Sequence, residues 1–327
     1  MALGLGLESS CDETAAAVVR DGRVVLSNII SSQIDLHRDY YGVVPEIASR
    51  AHLETINILI EKALEESGAS FKDLDYVAAT NRPGLVGSLL IALLSAKVIS
   101  RTMGIPLVAV NHLEAHLYAP FLEGREQAFP YIGLLVSGGN TVLYHVRGVG
   151  DMEIIGRTAD DAAGEAFDKI AKYLDLGYPG GPVIEKLART AAGKTVRFPK
   201  ILPEPGDTRF SYSGIKTAVI NYVKQNPGAD RAGLVHGFQE RVLELLVRRA
   251  FAAARSRGIS SIVVAGGVAA NGRLREMLDG EKRGSEEIII PSPGLCTDNA
   301  AMVAGIGFRY FDAGRYDSCA VDVHGRV

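Results

Sequence analysis

The feature that most restricts the fold of this chain is an echo between its two halves. Near the start, Leu3 to Leu7 reads as a short apolar strand followed by the turn ESSCDET; Ala15 to Val19 and Val24 to Ile29 then read as strands joined through Asp21-Gly22. Further on, Tyr131 to Val136 is again an apolar strand, SGGNT is the turn, and Thr141 to Val146 alternates as the returning strand. Both copies have a buried strand, a serine-bearing turn, a closing threonine and a second strand. A third small-residue turn, within Ile262 to Asn271, separates an apolar strand from a helix beginning near Asn271. Any one glycine pair is explained by a hairpin, but three such turns after strands point to a nucleotide cleft.

Helical patterns run from about Pro45 to Glu66, near Val86 to Thr102, and over Ala163 to Leu174 and Gly181 to Thr190. Strands are expected at Tyr76 to Ala79 and Pro106 to Val110. The class is α/β. At about 150 residues per domain, 327 residues suggest two domains, each able to bury its own core. Residues 194 to 213 read as a surface insertion, rich in Pro and Gly. They carry Lys194, Arg197, Lys200 and Arg209 against Glu204 and Asp207, with Phe198, Phe210 and Tyr212 interleaved. A solvated loop is the plain expectation, and RNA contact by phosphate pairing and base stacking the sharper one.

With 47% hydrophobic and 22% charged residues the chain is neither disordered nor collagen-like, and a net charge of -3 argues against coating nucleic acid through bulk positive charge. Any nucleic-acid contact would be a local patch. Cys11, Cys296 and Cys319 are odd in number without CxxC spacing, which points to a reducing compartment, the cytoplasm. The first residues lack the basic and apolar regions of a signal peptide. The longest charge-free apolar stretch, between Arg82 and Lys97, is broken by Pro83, Gly84 and Gly87. It falls short of the roughly 20 residues of a spanning helix, so no membrane association is expected.

His112 and His116 in HLEAH are the sharpest chemical signal, because imidazoles at i and i+4 share one helix face and can chelate one ion. A chance pair on an ordinary helix is the alternative. Glu114 is not at the HExxH position, which disfavours metalloproteolysis. Asp298, just before an apolar helix, is an attractive third ligand, its competing role being an N-cap. No GxxxxGK[ST] occurs, and Gly4 and Gly6 lack a third fingerprint glycine, so neither P-loop nor Rossmann binding is supported. Backbone N–H groups of Ser137, Gly138 and Gly139 are best placed to receive a phosphate. Asp12 and Glu13 are adjacent carboxylates at a strand end, positioned for metal, water or proton chemistry or simply for closing their own turn.

The segments ESSCDETAAAVV, PEIASRAH, NHLEAHLYAP, LLVSGGNT, GEAFDKIAKYLDLGYPGGPVIEKLA, FSYSGIKT, VVAGGVAANGRLRE and CTDNAAMVA, in this order, closely resemble the bacterial TsaD family of tRNA N6-adenosine threonylcarbamoyltransferases, relatives of the Kae proteins, over nearly the whole chain. The resemblance implies the two-lobed actin-like ATPase fold, with duplicated subdomains around a nucleotide cleft. The lobes would be residues 1–117 joined by a C-terminal helix 299–327, and residues 131–298. It also implies transfer of the threonylcarbamoyl group from threonylcarbamoyl-AMP to N6 of the adenosine 3′ of the anticodon, releasing AMP. By the same resemblance His112, His116 and Asp298 hold one divalent ion, Fe2+ or Zn2+. Leu135, Val136, Ser137, Gly138, Gly139, Asp168, Gly181, Glu185 and Asn271 would bind the nucleotide-bearing substrate, and TsaB and TsaE type proteins and tRNA would be partners. The apolar helices near Glu46 to Lys62 and Leu85 to Ser100 are a plausible surface for TsaB. Asn140, Arg82 and Glu185 depart from the family's usual His, Gly and Asp, and none touches the metal triad. Alternatives are a nucleotide-sensing scaffold, a small-molecule kinase of the same fold, and the endopeptidase activity once ascribed to the family.

Overall fold

The computed structural model describes residues 1–40, 42–126, 128–191, 195–201 and 207–326. It contains two compact units, one of residues 1–127 and 297–327, the other of residues 128–296. Asp298 therefore belongs with the first unit rather than the second. The helix that follows it ends at Asp312 and does not continue to residue 327. Gly314 has φ of +67°, a left-handed turn that stops it, and Asp317 then bridges back to Leu107.

The first unit has strands β1 (Leu3–Glu8), β2 (Glu13–Arg20), β3 (Val24–Ser32), β4 (Tyr76–Arg82) and β5 (Leu107–Asn111). Its helices are α1 (Ile34–His37), α2 (Pro45–Ser67), α3 (Val86–Met103) and α4 (His112–Tyr118), with a C-terminal helix, Ala300–Asp312. The strand order is β3-β2-β1-β4-β5, antiparallel through the meander and parallel from β1 to β5. β1 alternates leucine with glycine. Leu5 and Leu7 pack with Ile56, Leu59 and Ile60 of α2 and Ala92, Leu93 and Ala96 of α3. Gly6 faces the other way: a Cβ there would lie 2.2 Å from the Ala300 carbonyl oxygen and 2.7 Å from the Ala304 nitrogen. Only glycine lets the C-terminal helix lie this close to the sheet.

Helix α3 is 18 residues long, continuing past Lys97 to Met103, and is the one described helix long and apolar enough, by length and composition, to cross a membrane. Its Leu89, Ala92, Leu93 and Ala96 belong to the unit's buried core, while Leu94 and Val98 are exposed.

The second unit has strands β6 (Tyr131–Val136), β7 (Thr141–Gly148), β8 (Asp151–Arg157), β9 (Ser261–Ala265) and β10 (Glu287–Ile289). Its helices are α5 (Ala163–Tyr173), α6 (Gly180–Ala188), α7 (Ser213–Gln225), α8 (Arg231–Ser256) and α9 (Gly272–Glu281), and the C-terminal helix of the first unit is α10. Strand order β8-β7-β6-β9-β10, with the first three antiparallel and the rest parallel, repeats the first unit's topology strand for strand. The echo in the sequence is a duplication of the fold. Gly266, at the end of β9, has φ of +94°, and a Cβ there would lie 2.4 Å from the Val136 carbonyl oxygen. The third glycine turn is thus a close approach of two strand ends, which a side chain would block.

The described part of the insertion keeps Arg197, Lys200 and Arg209 exposed but turns its aromatic side chains inward. Lys194 and Glu204 lie outside the described residues. Phe198, Phe210 and Tyr212 are buried in the second unit's core. Phe210 bridges to Thr158, and Val196 donates to the Gly233 carbonyl of α8. Arg209 pairs with Asp207. Aromatic rings buried in this way are unavailable for base stacking, so the stacking expectation fails.

Candidate active site

Helix α4 begins immediately after β5, because the Asn111 side chain accepts hydrogen bonds from the Leu113 and Glu114 amides and starts the helix there. This puts His112 at the first position and His116 one turn on, with ring centroids 4.5 Å apart at 77°. From the segment before α10, the Asp298 Oδ1 lies 3.0 Å from His116 Nε2 and 3.7 Å from His112 Nε2. One ligand atom from each residue falls within 4.8 Å of the others. Asp298 is not the N-cap of α10. That position belongs to Asn299, which accepts from the Met302 amide at 3.0 Å. Glu114 is engaged elsewhere, accepting from the Tyr310 hydroxyl at 2.6 Å.

The donor set fits a divalent ion. Two imidazole Nε2 atoms and one carboxylate suit both zinc and iron, and three protein ligands leave positions for substrate. The far nitrogen of His112, Nδ1, lies 3.1 Å from Glu8 Oε2 and 3.1 Å from Ser10 Oγ, which leaves Nε2 for coordination. His116 Nδ1 is buried and has no partner among the described residues.

Charge is concentrated around these residues. Burial acts to lower the His112 pKa, but the Asp298 and Glu8 carboxylates outweigh it and raise it to about 9. Burial would raise Asp298, yet the two histidines hold it well below the usual carboxylate range. Glu13 is pushed far up by burial and by the nearby charges of Asp298 and Asp12, and accepts a hydrogen bond from Ser32 Oγ at 3.1 Å. The Cys11 thiol is raised by burial, Asp12 and Asp298, which makes it a poor nucleophile.

The nucleotide candidates all lie in the second unit. Leu135 and Val136 are buried residues of β6, so only their backbone is offered at the turn. Ser137 donates its amide to the Asn140 carbonyl at 2.8 Å, and the Asn140 amide donates to Ser137 Oγ at 3.1 Å. The Ser137 carbonyl accepts from Gly164 at the start of α5. Gly138, Gly139 and Gly181 have open space where a side chain would stand. Asp168 accepts from the Gly180 amide that opens α6, at 2.7 Å. Glu185 accepts from the Gly272 amide that opens α9, at 2.9 Å, and from Arg189. Asn271 caps α9 through the Leu274 amide and donates to Gln239. The Asp168 carboxylate thus ties α5 to the N-terminus of α6, and the Glu185 carboxylate ties α6 to the N-terminus of α9, each meeting the partial positive charge of that helix end.

Glu8, Ser10, His52 and Tyr310 were not singled out from sequence. Glu8 carried a signal: a lone carboxylate ending an apolar strand must be paired if that strand is buried. His52, in PEIASRAH, is 3.0 Å from the Cys11 carbonyl oxygen and 2.7 Å from Thr14 Oγ1, and so fixes the first turn from both ends.

Residues 24–305 match the model of the family described as TsaD: tRNA N6-adenosine threonylcarbamoyltransferase. The chain belongs to this family. It is 52% identical over 312 residues to the tRNA N6-adenosine threonylcarbamoyltransferase of Geotalea uraniireducens, covering 94% of this chain and 90% of that protein. Against the enzyme of the same name from Symbiobacterium thermophilum it is 52% identical over 319 residues, covering 96% and 93%. Among solved structures it is similar to HypF of T. kodakarensis, with a TM-score of 0.66 at 15% identity, covering 95% of this chain and 48% of that one. The activator of the 2-hydroxyisocaproyl-CoA dehydratase from Clostridium difficile, solved with bound ADPNP, gives 0.55 at 14% identity, covering 96% and 97%. These likenesses, with the duplicated sheets, establish the actin-like ATPase fold, and the family membership makes the chain an acyltransferase of tRNA modification.

Proposed function

We propose that this chain transfers the threonylcarbamoyl group from threonylcarbamoyl-AMP to N6 of the adenosine 3′ of the anticodon, in tRNAs reading codons that begin with adenine. The observation that carries this reading is the convergence of His112, His116 and Asp298 in a chain of this family. The three residues would hold one divalent ion, Fe2+ or Zn2+. When bound, that ion would polarise the carbonyl that a weakly nucleophilic exocyclic amine must attack.

In the second unit, the Gly138 and Gly139 amides, in the turn that Ser137 closes with Asn140, would steady the AMP phosphate as it leaves, with Asp168, Gly181, Glu185 and Asn271 holding ribose and base. Leu135 and Val136 would act by fixing the turn. Asp12 or Glu13, adjacent carboxylates at the strand end, would accept the amine proton. Proteins of the TsaB and TsaE type are the expected partners, the cytoplasm the expected location, and tRNA binding a local contact rather than a bulk charge effect.

The deciding experiment is transfer to unmodified tRNA from synthetic threonylcarbamoyl-AMP, with purified partners, comparing the wild type with His112→Ala. Modified adenosine formed only by the wild type supports the transferase. Nucleotide binding without product from either form would instead favour a scaffold that senses nucleotide.

A further inference from the structure

We propose that Glu8 is a positioning residue that selects the His112 tautomer with a free Nε2 lone pair, and so sets the affinity of the site for its metal ion. This rests on the reading of His112, His116 and Asp298 as metal ligands. Glu8 ends β1 and is fully buried. Its two oxygens are divided between separate tasks. Oε1 accepts from the Ser10 amide at 2.6 Å and from Thr80 Oγ1 at 3.2 Å, while Oε2 faces His112 Nδ1 at 3.1 Å.

A carboxylate only accepts hydrogen bonds, so Nδ1 must carry the proton and Nε2, on the side of Asp298, is left as the ligand atom. Ser10 Oγ, also 3.1 Å from Nδ1, cannot make this selection, because a hydroxyl can accept or donate. The two ligating histidines are therefore held differently: His112 has a carboxylate behind it, whereas His116 Nδ1 has no partner among the described residues.

Glu8→Gln separates this role from space filling. The Ser10 amide is a fixed backbone donor at 2.6 Å, so the glutamine oxygen must stay on that side and its NH2 group turns to His112 Nδ1. There it donates, Nδ1 must accept, and the proton moves to Nε2, where it blocks coordination. The substitution changes one atom and inverts the tautomer.

Metal-free wild type, Glu8→Gln and Ser10→Ala would be titrated with Co2+ against a competing chelator, following the visible spectrum of the bound ion, with urea unfolding to show that each variant folds. Glu8→Gln is expected to bind about 10- to 100-fold more weakly, with Ser10→Ala close to the wild type. Wild-type affinity in Glu8→Gln, or equal weakening in both variants, overturns the role of Glu8 and leaves the metal site standing. Failure of the wild type to bind one Co2+, or unchanged binding by His116→Ala, overturns the metal reading and the proposal with it. Should Glu8→Gln not fold, the Co2+-loaded wild type provides the test by proton NMR. An ion-shifted imidazole N–H that shows a nuclear Overhauser contact to the Glu8 side chain, that of His112 Nδ1, should be present; its absence would overturn the proposal.

Discussion

Asp298 Oδ1 lies 3.0 Å from His116 Nε2, although 182 residues separate the two in the chain. The contact joins the helix that follows β5 to the segment that enters α10. Replacing Asp298 with Ala should therefore abolish stoichiometric metal binding, exceeding the about 10- to 100-fold loss typical of an outer-shell change. It should also let the His112 pKa fall, because Asp298 is the largest of the influences raising it. Metal content after dialysis and histidine titration by NMR check the two parts separately.

Metal affinity should decline as the pH is lowered. With its pKa raised to about 9, metal-free His112 carries at neutral pH a second proton, on Nε2, beside the one Glu8 holds on Nδ1, and an incoming ion must displace it. One displaced proton weakens binding by about tenfold per pH unit below that value. Competition titrations between pH 8 and 6.5 would show this slope, and a flat profile would contradict the charge assignment.

Gly6→Ala should destabilise the fold and loosen the site together. The added Cβ would meet the Ala300 carbonyl at 2.2 Å, so α10 would have to move off the sheet, and overpacking of this kind typically costs about 1–3 kcal/mol. Asp298 stands two residues before Ala300, so metal affinity should drop in the same variant. Urea unfolding and Co2+ titration on the same preparation test the linkage.

Asp160 offers a stability test away from the metal site. Burial would raise its pKa, but the Ser211 hydroxyl and the Tyr212 and Ser213 amides at the start of α7 overcome this and hold it below the usual range. A carboxylate lowered on folding adds stability that is present above its unfolded pKa of about 3.9 and is lost as the pH falls through the folded value. Asp160→Asn should thus cost about 1 kcal/mol at pH 7. The difference from the wild type should shrink below pH 4, as urea melts across that range would show.

The sequence by itself determined the elements and the duplication. Alternating Leu and Gly in β1, the paired turns ESSCDET and SGGNT, and helical spacing in HLEAH are local patterns, and local sterics and burial suffice to specify them. The same spacing placed His112 and His116 on one face, and Asp298 was legible as a third ligand mainly through likeness to the family.

What only the tertiary structure decided is which groups share a buried space. Phe198, Phe210 and Tyr212 sit in a stretch with loop composition, yet they fill the core of the second unit because Val196 and Phe210 pair with distant backbone. Asn299 rather than Asp298 caps α10. Glu8, 104 residues from His112, becomes its partner because β1 pairs with β4, β4 pairs with β5, and α4 begins where β5 ends. A carboxylate at the end of an apolar strand announces that it needs a partner. Which partner it finds depends on strand order, and strand order is set by the packing of the whole sheet, which no local pattern encodes.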